Sequence, residues 1–459
     1  MTIPAASLFK AYDIRGVVDT DLTPAAVTQI GCAIGAEARA RGQSHLVIGR
    51  DGRLSGPDLS DALAEGLQAT GVHVTDIGVC ATPMLYFAVH QLHQGGGVMV
   101  TGSHNPPQYN GLKMVLAGET LSGEAIQGLR RRIEALDFGP APAHPGHYST
   151  ADVREAYLDR ITGDVRLARP LRVIVDCGNG SPGAVAPELF RRLGCEVTEL
   201  FCEVDGTFPN HHPDPSDPHN LEDLIAELAK GHADIGLAFD GDGDRLGVVT
   251  RTGQVIFPDR QLMLFAADVL SRNPGAEVIF DVKCTRHLFD WIRQHGGKPT
   301  LWKTGHSLIK AKMRETGALL AGEMSGHMFF KERWFGFDDG LYAGARLLEI
   351  LSHRDDIDAA FAALPDSLCT PELQIRVDGR DHHALIAQLQ REAQFPSARE
   401  VVTLDGLRVE YTDGFGLVRG SNTTPVLVLR FEADNAEALA RIQGEFRAVL
   451  AGAGLSAPF

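Results

Sequence analysis

Several common features are missing from this chain of 459 residues, and each absence removes a class of function. Its seven cysteines, Cys32, Cys80, Cys177, Cys195, Cys202, Cys284 and Cys369, are scattered, odd in number and never form a CxxC pair. That usage excludes a disulfide framework and a structural zinc site, and fits the reducing cytoplasm. No apolar run approaches the roughly 20 residues that cross a bilayer, so no membrane partner is expected. The opening residues, MTIPAASLFK, lack a basic stretch followed by an apolar one, so no secretory leader is expected. Positive charge is also scarce, with 43 Lys and Arg against 59 Asp and Glu and a net charge of -16. A nucleic-acid partner is therefore not expected. A small anionic ligand needs only a few converging cations and N–H groups, and stays open.

What the chain does contain is one plan used three times. A β-rich run, a polar loop, an amphipathic helix, a glycine and a second β-rich run recur over residues 45–78, 171–201 and 276–302. Each reads as a parallel βαβ unit, with Gly71, Gly194 and Gly297 as left-handed helix C-caps. From about Thr370 the plan changes to strand, helix, three strands and a final helix, an α+β arrangement with a largely antiparallel sheet. Four domains are expected, at residues 1–149, 150–253, 254–367 and 368–459.

Four short segments can carry chemistry. The apolar run Val98-Met99-Val100 stops at TGSHNPPQYNGLK, a polar knot around Ser103. Asn-Pro and Pro-Pro punctuate turns, yet a strand end is also where α/β proteins tend to place reactive groups. In AFDGDGDRLGVV, Asp240, Asp242 and Asp244 alternate with glycines after an apolar strand, so three carboxylates converge. Such a cluster calls for a hard cation. A calcium EF-hand is excluded, because its sixth and twelfth positions want Gly and Glu where Arg245 and Arg251 stand. Few carboxylates and exchangeable positions suit Mg²⁺. In GEMSGHMFF, Glu323 and Ser325 of an extended loop point the same way and suit paired sugar hydroxyls, and a plain β-turn fits equally. In RGSNTTP, Arg419 with Ser421, Asn422 and Thr423 offers donors suited to phosphate, or simply a polar hairpin loop.

Lesser segments are YDIRG, GRDGR (ending at Arg53) and KTGHSLIK, each with a cation near Gly that suits an anionic ligand. The proline-rich DGTFPNHHPDPSDPHN, with His211, His212 and Asp214, lacks metal-ligand spacing and reads as a rigid loop.

In order, TGSHNPPQYNGLK, DGDGDR, GEMSGH and RGSNTTP resemble the signature loops of the α-D-phosphohexomutase superfamily, one in each expected domain. Their wording is most similar to its phosphomannomutase/phosphoglucomutase branch. The resemblance implies three related α/β domains with mixed or parallel sheets, a C-terminal α+β domain and an active site in the central cleft. It further implies an isomerase that interconverts hexose 1-phosphate and hexose 6-phosphate, of mannose and glucose, through a phosphoserine enzyme. Glucose 1,6-bisphosphate would be intermediate and activator. Ser103 would carry the phosphate and ligate Mg²⁺ together with Asp240, Asp242 and Asp244, with Arg245 steadying the phosphate. Arg15, His104, Lys113 and His306 would handle protons and charge, Lys113 and His306 foremost. Substrate contacts would come from Tyr12, Lys303, Thr304, Gly305, His306, Glu323, Ser325, His327 and the Arg419–Thr423 loop. The partners are then small-molecule sugar phosphates, the protein is taken to act as a monomer, and its last domain is expected to swing on residues 365–371. The rival is a phosphoglucosamine mutase, against which Met324 of GEMSGH speaks. Less favoured are a non-catalytic sugar-phosphate binding protein and a simple phosphatase.

Overall fold

The structure, a computed structural model, describes residues 3–377, 379–422, 424–457 and 459. Thr423 of the expected phosphate loop lies outside them.

Four sheets follow one another along the chain, of seven, five, four and six strands. All three βαβ units are present. His45–Arg50 pairs in parallel with His73–Val79, Arg172–Asp176 with Glu196–Leu200, and Glu277–Asp281 with Lys298–Trp302. Gly71 and Gly194 do take left-handed backbone after their helices, at φ 82° and 91°. The third unit differs from expectation: Gly296 is the left-handed residue, not Gly297. Gly297 answers a packing need instead, since a Cβ there would stand 2.6 Å from the Leu270 methyl carbons.

Each sheet also contains an antiparallel pair, and these pairs position the four signature loops. The all-buried strand Gly96–Val100 pairs with Tyr109–Leu116, and the serine loop joins them. Ile235–Phe239 pairs with Leu246–Thr250 around the triple Asp. Leu320–Gly322 pairs with Met328–Phe330 around Glu323–His327. Gly414–Gly420 pairs with Val426–Ala433 around Ser421 and Asn422. The strand Gly414–Gly420 was not expected from its sequence, GFGLVRG, because three glycines mask its β character. Packing explains two of them. A Cβ on Gly416 would meet the Phe446 ring at 2.4 Å, and one on Gly414 would meet Ile442 at 2.7 Å, so the glycines let the helix Ala436–Gly452 lie close to the sheet.

The apolar core is continuous through the first three domains. Phe87 of the first, Tyr157, Phe190 and Phe239 of the second, and Phe265, Phe330 and Tyr342 of the third belong to one buried cluster. The C-terminal domain has its own core around Phe431, Ile442 and Phe446, and among the described residues shares with the rest a small buried cluster of Val282, Phe415 and Leu417. Buried polar contacts complete that junction. Arg408 donates to the Val282 and Cys284 carbonyls, both at 2.7 Å, and Arg430 meets Asp259 at 3.2 Å. All seven cysteines are free thiols. Among the described residues no helix is long and apolar enough to cross a membrane.

Candidate active site

The serine loop is held from beneath. Asp51 accepts from the Thr101 hydroxyl at 2.7 Å and from Gly102 N at 3.1 Å, where the strand ends. Arg53, 1% exposed, donates to the carbonyls of Ser103, Asn105, Pro106 and Tyr109 at 2.6–2.9 Å, and its Nε to Asp51. Of the two arginines of GRDGR, Arg53 is therefore not the cation for an anionic ligand that the segment could have supplied. Its guanidinium is committed to loop carbonyls that would otherwise be buried without donors. This scaffold keeps Ser103 buried and in left-handed backbone at φ 50°, a conformation that non-glycine residues rarely hold without support.

Ser103 Oγ lies 3.1 Å from Asp240 Oδ2 and 3.2 Å from His104 Nδ1. The three carboxylates, all fully buried, place a ligand oxygen each within 4.8 Å of one another. Their hairpin is tight because Gly243 turns at φ 77°, and Gly241 admits the Ser103 carbonyl, which a Cβ would meet at 2.5 Å. Lys113 Nζ stands 2.7 Å from Asp242 Oδ2 and 2.5 Å from Asp244 Oδ2. Burial alone would lower the Lys113 pKa, but Asp242, Asp244 and Asp240 outweigh it and hold the ammonium above its usual range. Asp240 moves the other way: burial, then Asp244 and Asp242, push its carboxyl well above the ordinary value. Asp240 accepts from Ser103 and from Arg245 N, Asp244 from His327 and Lys113, and Asp242 Oδ2 from Thr82 and Lys113. Asp242 Oδ1 is buried and accepts from none of the described residues. An orphaned carboxylate oxygen among three converging carboxylates is the donor set of a hard-cation site, so the residues fit Mg²⁺.

The proline-rich loop is more than a rigid connector. The Pro213 carbonyl accepts from Gly241 N at 3.2 Å, and Asp214 faces Arg245 at 3.9 Å. Burial would raise the Asp214 pKa, but His104 and Arg245 outweigh it and bring it to about 2. His104 is half-buried, and that desolvation, with Arg245 beside it, pushes its pKa well below the usual histidine range. Arg15 is paired with Asp13 at 2.5 Å.

The Glu323–His327 segment forms a closed turn rather than an extended loop, because Glu323 N donates to the His327 carbonyl at 2.9 Å and Gly326 N to the Glu323 carbonyl at 3.1 Å. The turn still gathers its side chains on one side. His327 Nδ1 meets Glu323 Oε2 at 2.9 Å and Ser325 Oγ at 3.0 Å, and its Nε2 meets Asp244 Oδ1 at 3.2 Å. Burial opposes protonation of His327, yet Asp244 and Glu323 raise its pKa to about 9. Glu323 Oε1 also accepts from Gly305 N at 2.5 Å. His306 stands 3.4 Å from Asp338, and its pKa falls through burial and the nearby Lys310. Lys310 is buried against Asp338 at 2.7 Å, whereas Lys303 is exposed.

Tyr12 joins three domains. Its hydroxyl donates to the Thr304 carbonyl at 2.6 Å and accepts from Asn422 Nδ2. Arg419 is the last but one residue of its strand, not a loop residue, and pairs with Asp405 at 3.1 Å. Its Nη2 is buried with no partner among the described residues. Ser421 gives its carbonyl to His382 at 2.8 Å. Sequence reasoning missed Thr82 and Lys283, and read Asp214 only as part of a rigid loop. Lys283 follows the strand Glu277–Asp281, is buried, and meets Glu372 at 3.0 Å. A cation one turn past a parallel strand was its one available signal.

The serine, triple-Asp, Glu-x-Ser and Arg-Ser-Asn segments thus form one hydrogen-bonded series across four domains, and the same four domains are matched by family models. Phosphoglucomutase/phosphomannomutase α/β/α domains I, II and III match residues 6–140, 155–253 and 257–367, and the C-terminal domain matches 372–449. A phosphomannomutase/phosphoglucomutase of Pseudomonas aeruginosa is 57% identical over 458 residues, covering 100% of this chain and 98% of its own. A phosphoglucomutase of Neisseria meningitidis is 58% identical over 447 residues, 97% of each chain. The crystal structure of a phosphoglucomutase/phosphomannomutase family protein from Burkholderia thailandensis superposes with a TM-score of 0.94 at 57% identity, over 99% of this chain and 100% of that one. With every domain matched and the four loops joined in one site, the chain belongs to the phosphoglucomutase/phosphomannomutase family.

Proposed function

We propose that this protein is a phosphohexomutase that interconverts the 1- and 6-phosphates of glucose and mannose, with Ser103 as the phosphate carrier. The observation that carries the reading is the seat of Ser103 Oγ, 3.1 Å from Asp240 in a cluster of buried carboxylates contributed by another domain. Kinship to enzymes that act on glucose and mannose phosphates at 57–58% identity favours these sugars over glucosamine phosphate.

In the first half-reaction the bond from Ser103 Oγ to phosphorus breaks as the sugar hydroxyl oxygen forms its own, giving a hexose 1,6-bisphosphate. The hydroxyl proton passes to a base, and the Ser103 oxygen is left as an alkoxide that takes a proton. The second half-reaction runs the same exchange in reverse at the other end of the sugar, so no water and no net phosphate is consumed. Asp240, Asp242, Asp244 and the Ser103 phosphate would hold Mg²⁺, which when bound would supply positive charge to offset the oxygens of the moving group. Lys113 is held charged by two of the same carboxylates, which suits it to charge neutralisation better than to proton abstraction. His306, whose pKa is lowered, can accept a proton, and His104 beside Ser103 Oγ can serve the serine end. Glu323, Ser325 and His327 face the sugar, with Lys303, Thr304 and Gly305 beside them. Arg419, Ser421 and Asn422 hold the phosphate that is not reacting, and Tyr12 closes the first domain against them.

The deciding assay follows isomerisation and phosphate release in parallel on the 1-phosphates of glucose, mannose and glucosamine. Mutase turnover on the first two without phosphate release is expected. Release as the main product would make the protein a phosphatase, preference for glucosamine phosphate would move it to the rival branch, and silence on all three would leave a binding protein.

A further inference from the structure

Thr82 belongs to none of the four signature loops. It opens the helix Thr82–Gln91 of the first domain and is fully buried. Its hydroxyl donates to Asp242 Oδ2 at 2.5 Å, and its backbone N–H donates to the Asp242 carbonyl at 2.8 Å. Lys113 Nζ reaches that same Oδ2 at 2.7 Å. Two donors therefore converge on one oxygen of Asp242, while Oδ1 is buried without a donor among the described residues. The terminal torsion of an aspartate is soft, so the direction in which its second oxygen points is set by whatever holds the first. Here a hydroxyl from the first domain and an ammonium from the hairpin strand Tyr109–Leu116 hold it.

We propose that Thr82 is a positioning residue for the divalent cation, a hydroxyl that fixes the Asp242 carboxylate so that Oδ1 is presented to the ion. The inference rests on the metal reading of the triple Asp given above. It adds a physical reason why the cation site, whose carboxylates all lie in the second domain, needs the first. Lys113 alone cannot do the same work, because it divides its contacts between Asp242 and Asp244 and so attracts both without choosing a plane for either. A hydroxyl supplies one directed bond, and its backbone N–H fixes the distance between helix and loop. Groups that orient a metal ligand in this way typically change affinity by about 10–100-fold when removed.

The test is direct binding of Mn²⁺ to the full-length protein, stripped of metal with a chelator, in the absence of any sugar. Free Mn²⁺ is read by electron paramagnetic resonance, and folding by circular dichroism and Tm. Thr82→Val keeps the volume and removes the hydroxyl. Thr82→Ala removes it while leaving room, which covers the case in which valine disturbs the fold. Both are expected to bind Mn²⁺ about tenfold more weakly, and Thr82→Ser, which keeps the donor, to stay within about threefold of wild type. A folded Val or Ala variant with wild-type Mn²⁺ affinity would overturn the assignment, as would a Ser variant that loses as much as Val. Failure of the wild-type protein to take up Mn²⁺ would overturn the metal reading itself. Wild-type uptake with unaffected Thr82 variants overturns only the role given to Thr82.

Discussion

Ser103 Oγ and Asp240 Oδ2 stand 3.1 Å apart although 137 positions of chain separate them and their loops join strands of different sheets. A hydroxyl and a buried carboxylate meet at this distance only because two hairpin loops face each other and Gly241 lets their backbones touch. Phosphate carried on that hydroxyl would lie against the three carboxylates, a strongly repulsive arrangement without a cation between them. On the proposed reading the seat would thus link covalent carriage of phosphate to metal binding.

Ser103→Ala is expected to lower isomerisation by on the order of 10³-fold or more, since it removes the proposed carrier of the transferred group. Intact mass and peptide mapping of active wild-type protein should find phosphate on Ser103. Full activity in the alanine variant, or phosphate only on another residue, would remove Ser103 from the mechanism.

Asp240→Asn should separate activity from stability. Its carboxyl is pushed up by burial and by Asp244 and Asp242, so replacing it relieves repulsion in the metal-free fold. Turnover is expected to fall at least about a hundredfold while Tm stays level or rises. Chelation of wild-type protein should stop turnover reversibly. A chelated enzyme that still turns over would show that the cluster serves another purpose.

The four loops were legible because reactive side chains were packed into short strings, and local strings survive translation into structure. What surrounds them was not. Thr82, Asp214 and Arg53 act on loops up to 160 positions away, and no local pattern in ATPM, HPDP or GRDGR announces those contacts. The βαβ units were found from their periodicity, yet the loops sit on antiparallel hairpins, which sequence alone did not separate from βα turns. Gly414–Gly420 was missed because its glycines serve the helix behind it rather than the strand itself.

Arg53→Lys tests how far the serine loop depends on its support. One ammonium cannot satisfy four loop carbonyls together with Asp51, so some are left without donors. A loss of about 2–4 kcal/mol in unfolding free energy is expected. Ser103 would also leave its left-handed conformation more often, lowering kcat with little change in KM. Chemical denaturation together with steady-state kinetics checks both, and an unchanged kcat would mean that the loop holds itself.

Stability should depend on pH through Asp339. Its carboxyl accepts from Tyr157 Oη at 2.9 Å and from Tyr342 N at 2.8 Å, but burial is the larger influence and raises its pKa from 3.8 to about 7. A carboxyl whose folded pKa is raised binds its proton more readily when folded, so its contribution to stability is full below about pH 4 and is lost as pH rises through about 7. Asp339→Asn, which stays neutral, should flatten the fall in unfolding free energy between those values. Parallel slopes for the two proteins across that window would show that Asp339 ionises freely.

The last expectation concerns Arg419. With Ser103 as the one donor, as proposed, both ends of one sugar would have to reach it, and the bisphosphate would turn end over end between transfers. The grip on the distal phosphate must then accept either end, which requires contacts to phosphate oxygens rather than to the sugar. Arg419 is buried, is held by Asp405, and keeps Nη2 without a partner among the described residues, so one donor remains to be used. Turning also requires room. Among the described residues the C-terminal domain shares a small apolar cluster with the rest and meets it also through polar contacts, a junction that can open at less cost than a continuous core. Arg419→Ala is expected to raise KM about tenfold or more and to let the bisphosphate escape before its second transfer. Turnover would then depend on added glucose 1,6-bisphosphate, and the free bisphosphate would accumulate in a single-turnover assay. If the variant matches wild type in KM and needs no added bisphosphate, the distal phosphate is held elsewhere, and Lys283, buried beside Glu372, is the next residue to change.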